Sequence, residues 1–106
     1  MSLDVSLIVN GNYVYDKNIT HNLNTMADKA GIYEALWRPE EIDIKIAKDL
    51  IPLLKAGLKK LKNNRDYFEQ FNPENGWGDY EGLVEFTEEY LEACKEYPEA
   101  LIEVDR

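Results

Sequence analysis

Two residue types that many active sites depend on are almost missing here: the chain has one cysteine, Cys94, and one histidine, His21. A single cysteine excludes an internal disulfide and a cysteine-rich metal site. A single imidazole leaves a serine or cysteine nucleophile only one place to find its base. No apolar run approaches the roughly 20 residues of a membrane span, so no membrane partner is expected. The opening "MSLDVSLIVNG" lacks the basic and long apolar regions of a secretory signal. With so little cysteine, a cytoplasmic protein is the simple expectation. No glycine-rich phosphate loop follows a strand. Positive charge is scarce as well. Twelve Lys and Arg against 21 Asp and Glu give a net charge of −9. Phosphate repels such a surface, so direct nucleic-acid binding is not expected.

What the chain does have is enough apolar material for one core. It has 106 residues, 44% of them hydrophobic, with seven Tyr, three Phe and two Trp. We expect a single domain over residues 1–106, without repeats or linkers. "LDVSLIVNGNYVYD" (3–16) alternates as two strands around Asn10-Gly11, a strong signal for a tight hairpin turn. Leu7, Val9, Tyr13 and Tyr15 are placed to line a face of it. From Thr20 to Lys29, Leu23, Met26, Ala27 and Ala30 fall at helical spacing, and Gly31 stops the helix. "IYEALW" predicts a short helical turn, and "RPEE" a fresh start at Pro39. The longest helix is predicted from Asp43 to Asn63, with Pro52 kinking or splitting it near residue 48 or 49. "RDYFEQF" predicts one further turn. "NPENGWGD" (72–79) is a loop. A last helix runs from Tyr80 to Glu96, and "ALIEV" closes the chain as a strand. The expected fold is α+β: a three-stranded antiparallel sheet, made of the N-terminal hairpin and the C-terminal strand, with three to four helices packed on one face.

The candidate site begins in "NITHN". Asn18, Thr20 and Asn22 are three possible caps for one helix start, more than capping requires. The same free N–H groups would bind a phosphate or carboxylate, with His21 as a further donor. Trp37 beside Arg38 could stack on a flat ring while the guanidinium holds phosphate. Trp77, between two glycines and close to Tyr80, is either an anchor docked on the core or the wall of a ligand pocket. The ligand-binding set is therefore Asn18, Thr20, His21, Asn22, Trp37, Arg38, Trp77 and Tyr80. No catalytic set emerges. Cys94 sits on the apolar stripe of the last helix, where a small buried thiol is inert. A metal on His21 with Asp16 or Asp28 is disfavoured, because one imidazole among scattered acids is what any acidic surface offers. No metal and no cofactor are expected. Charge is also uneven. Ten acids and two bases lie between Asp79 and Arg106, whereas Lys45 to Lys62 holds six lysines and one acid.

The words "NITHNLNTMADKAGIYEALWRPEE", "DLIPLLKAGLKKLK" and "FNPENGWGDYEGLVEFTEEYLEACKEYPEA" resemble a family of small uncharacterised proteins from tailed phages and prophages. The resemblance spans nearly the whole chain. It implies a cytoplasmic protein of an infected or lysogenic bacterial cell, and it brings no catalytic residues with it. In that setting we expect a non-catalytic protein that sequesters a small phosphate-bearing ligand, such as a nucleotide-type immune signal, as a homo-oligomer with pockets between subunits. The alternative is an interaction module that uses its acidic C-terminal helix as a host-enzyme blocker, nucleic-acid mimic or virion or lysogeny accessory.

Overall fold

The computed structural model describes residues 2–106. Strands β1 (Ser2–Val9) and β2 (Asn12–Thr20) form the hairpin. Asn10 and Gly11 take positive φ angles of 52° and 80°, as a primed two-residue turn requires. β3 (Leu101–Asp105) returns antiparallel along the other side of β1, giving the order β2-β1-β3. Alternation sends Leu3, Val5 and Leu7 into the core. Asn18 and Asp16, opposite Asp4 and Ser6, stand on the other, open face with Glu103 and Asp105.

The register corrects one expectation. Leu7 lies opposite Tyr15, but Ile8 lies opposite Tyr13, so Val14 is an extra residue in β2. Tyr13 is thereby turned away from the face that Leu7 and Tyr15 share. It is 59% exposed, and its hydroxyl donates to Glu103 Oε2 at 2.6 Å.

Among the described residues five α-helices join the sheet, three of them only five or six residues long. A 3-10 turn (His21–Leu23) leads into α1 (Asn24–Lys29), and α2 (Tyr33–Trp37) follows after Gly31. Then come α3 (Ile51–Asn63), α4 (Arg65–Glu69) and α5 (Tyr80–Glu96). Leu83, Phe86, Thr87, Tyr90, Leu91 and Cys94 of α5 are buried with Leu50, Leu54 and Leu61 in one core beneath the sheet. Gly57 lets α3 press directly on Ile32, where a side-chain carbon would collide.

The long helix does not start at Asp43. A 3-10 turn begins at Ala47, and α3 follows at Ile51. Residues 45–48 instead run along residues 98–102, which lead into β3. Ile102 N–H donates to Lys45 O at 3.0 Å, Ala47 N–H to Ala100 O at 2.9 Å and Lys48 N–H to Pro98 O at 2.9 Å. Ile46 forms a bridge with Leu101. These bonds outweigh helix propensity at 43–46. Pro52 then falls in the first turn of α3, where its missing N–H has no intrahelical acceptor to lose, so no kink is needed.

Candidate functional site

The three candidate caps in "NITHN" have three different jobs. Thr20 is the cap: its Oγ1 accepts the Asn22 backbone N–H at 3.3 Å. Asn18 lies in β2 and donates through Nδ2 to Ser2 Oγ and to Asp4 Oδ1, each at 2.8 Å. Asn22 reaches across to the loop over 72–79. Its Nδ2 lies 3.5 Å from both Asn75 Oδ1 and Trp77 O. His21 points elsewhere, and its Nδ1 accepts the Trp37 indole N–H at 2.8 Å.

The loop is built to hold one side chain outward. Asn75 Oδ1 accepts the Trp77 backbone N–H at 2.9 Å, and Asn72 Oδ1 accepts the Tyr80 N–H at 2.8 Å. Asp79 caps α5 through the Gly82 N–H at 2.7 Å. Gly76 and Gly78 both have positive φ. Gly78 packs so closely on Thr20 and Leu23 that a side-chain carbon there would lie 2.7 Å from Thr20 Cγ2. Between them, Trp77 remains 70% exposed. Large aromatics are usually buried, so an exposed indole on a loop held by its own Asn72, Asn75 and Asp79 side chains is a displayed surface. With Ser2, Asn18, Thr20 and Asn22 it lines an open cleft of about 440 Å³.

No protein family, curated protein or solved structure matches this chain. The site therefore has to be read from its own chemistry.

Of the eight residues singled out in the sequence, the cleft gathers Asn18, Thr20, Asn22 and Trp77. Ser2 was missed, because nothing in the sequence shows that the start of β1 lies opposite Thr20. The other four sit outside the cleft lining, for identifiable reasons. Trp37 is 2% exposed, stacked on Tyr33 with ring centroids 5.6 Å apart, and bonded to His21. It is a core residue and offers no wall to a ligand. His21 gives its Nδ1 to that bond. Arg38 donates from Nε to Tyr33 Oη at 3.1 Å and from Nη1 to Glu41 at 3.1 Å, so two sides of its fork are occupied. Tyr80 is buried, and its hydroxyl donates to Leu61 O at 2.7 Å, tying the start of α5 to the last turn of α3.

The remaining reactive groups are muted. Cys94 is fully buried, and burial pushes its thiol up to about 12. Among the described residues no three His, Cys, Asp or Glu side chains converge as a metal site. Acids of α5 and its start are largely paired: Glu81 with Arg65, Glu88 with Lys62, Glu89 with Lys17 and Glu92 with Lys95. Two of the lysines near the basic helix are engaged as well, Lys62 on Glu88 and Lys48 on Glu99.

Proposed function

We propose that this is a non-catalytic binding protein whose cleft beside Trp77 takes the flat, uncharged part of a small ligand. In a phage or prophage setting, that ligand is a nucleotide-type immune signal removed by sequestration. The exposed Trp77 indole, held by a loop whose side chains bond to its own backbone, carries the reading. An indole face stacks on a nucleobase with about 1–3 kcal/mol per base. The lining of Ser2, Asn18, Thr20 and Asn22 is polar without charge. It suits hydrogen bonding to a base edge and offers no positive charge to a phosphate. The phosphates of such a ligand therefore stay in solvent, which revises the phosphate-holding role expected of His21 and Arg38. The engaged imidazole and buried thiol support binding without catalysis. The resemblance to phage proteins supplies the setting only, as an analogy of context.

Calorimetry with nucleosides, their monophosphates and cyclic dinucleotides tests this. A nucleoside should bind at least as tightly as its monophosphate, and Trp77→Ala should abolish the heat. Arg38→Ala should leave affinity within a factor of about three, as expected for a residue outside the site. Retained binding in Trp77→Ala would overturn the proposal.

One observation favours a second reading. Exposed tryptophans are frequent hot spots in protein interfaces, so Trp77 also suits a protein partner. The acidic last helix suits one less well, because most of its acids are neutralised within the molecule. A host protein lost by Trp77→Ala and kept by Glu85→Lys would select this reading.

A further inference from the structure

The cleft's hydrogen-bond polarity can be worked out from its neighbours, and it narrows the ligand class. Asn18 has Asp4 beside it. An ionised carboxylate only accepts, so the amide must turn its NH2 end that way, and the second N–H goes to Ser2 Oγ. Both donors of Asn18 are then in use, and among the described residues Oδ1 is its free polar atom. Asn22 is oriented by the same logic. Trp77 O is a carbonyl, and Asn75 Oδ1 already accepts the Trp77 N–H. The NH2 of Asn22 faces those two oxygens, again leaving Oδ1 free. Ser2 Oγ accepts from Asn18 and Thr20 Oγ1 accepts from the Asn22 backbone, so each hydroxyl keeps its proton to give.

We infer that the cleft selects an amino-substituted base, such as adenine or cytosine, over its oxo counterpart. This rests on the base-binding reading above. Two amide oxygens, biased outward by these contacts, meet the exocyclic N–H groups of an aminopurine or aminopyrimidine. The hydroxyl protons of Ser2 and Thr20 meet the ring-nitrogen acceptors beside them. Hypoxanthine or uracil would set a carbonyl oxygen against an amide oxygen, leaving both without a donor.

The test compares four neutral ligands on the unaltered protein by calorimetry: adenosine, inosine, cytidine and uridine. Adenosine should bind about three- to tenfold more tightly than inosine, and cytidine should exceed uridine in the same sense, as the loss of one hydrogen bond in an open cleft predicts. Asn22→Leu, which removes one acceptor, should narrow the adenosine to inosine ratio while Trp77 still binds both. Equal or reversed ratios would overturn the amino-edge inference and leave base binding standing. Absence of heat with all four would overturn both.

Discussion

The indole N–H of Trp37 points at Nδ1 of His21 across 2.8 Å, from a tryptophan that is 2% exposed. A nitrogen that accepts carries no hydrogen, so neutral His21 has its proton on Nε2. The only imidazole of the chain thus serves a buried donor. His21→Ala should cost about 1–3 kcal/mol of folding stability in urea titrations, because the indole N–H is left unmatched. The same variant should bind ligand normally in the Trp77 cleft. Nitrogen NMR shifts of the ring check the tautomer directly.

The loop glycines separate steric from conformational effects. Gly76 and Gly78 share positive φ, but only Gly78 faces a close neighbour, Thr20. Gly76→Ala should cost about 1 kcal/mol for the left-handed backbone alone. Gly78→Ala should cost about 1–3 kcal/mol more, because the loop must also move off Thr20 and Leu23. It should weaken ligand binding where Gly76→Ala does not. Chemical denaturation paired with calorimetry reads both.

Stability should fall as pH rises above 9. Burial holds the Cys94 thiol near 12 in the folded chain, against 9.0 for the free group. Between these values the unfolded chain loses a proton that the folded chain keeps, so alkali favours unfolding by at most about 1.4 kcal/mol per pH unit from this group. Burial raises Tyr15 and Tyr90 in the same direction. Cys94→Ala should flatten the slope of denaturation midpoint against pH. At pH 8 the native thiol should resist a bulky reagent that labels the unfolded chain at once.

Tyr90 offers a test of opposite sign. It stacks on Tyr15 with centroids 5.9 Å apart and planes 6° from parallel, yet neither hydroxyl finds a partner among the described residues. Tyr90→Phe keeps the packing and removes an unmatched buried hydroxyl. Thermal denaturation should show it equal to the wild type or more stable, by up to about 1 kcal/mol.

Local signals carried most of the architecture. Asn10-Gly11 announces its turn, and the 3-4 spacing of Leu83, Tyr90, Leu91 and Cys94 announces α5, because both depend on near neighbours in the chain. What the sequence concealed depends on distant ones. Ile42, Ile44 and Ile46 alternate with period two, a strand signal, but Ala47 and Leu50 extend the helical spacing backward over them. Only the bonds to β3 decide between the two. Trp37 and Arg38 looked like one unit because they are adjacent, yet one is core and the other is surface. Likewise Asn18 looked like a cap until its strand partner Asp4 was known.

The sheet is asymmetric at its two borders. Residues 45–48 bond to residues 98–102 and cover the outer side of β3 only at its start, while β2 has no strand beyond it among the described residues. The long open border is therefore β2, because what stays open on β3 runs only from 103 to 105, a short stretch for strand pairing. Two copies joining through β2 make a two-fold pair, and a fibril built from the native sheet would have to continue through the short stretch 103–105 at its other edge.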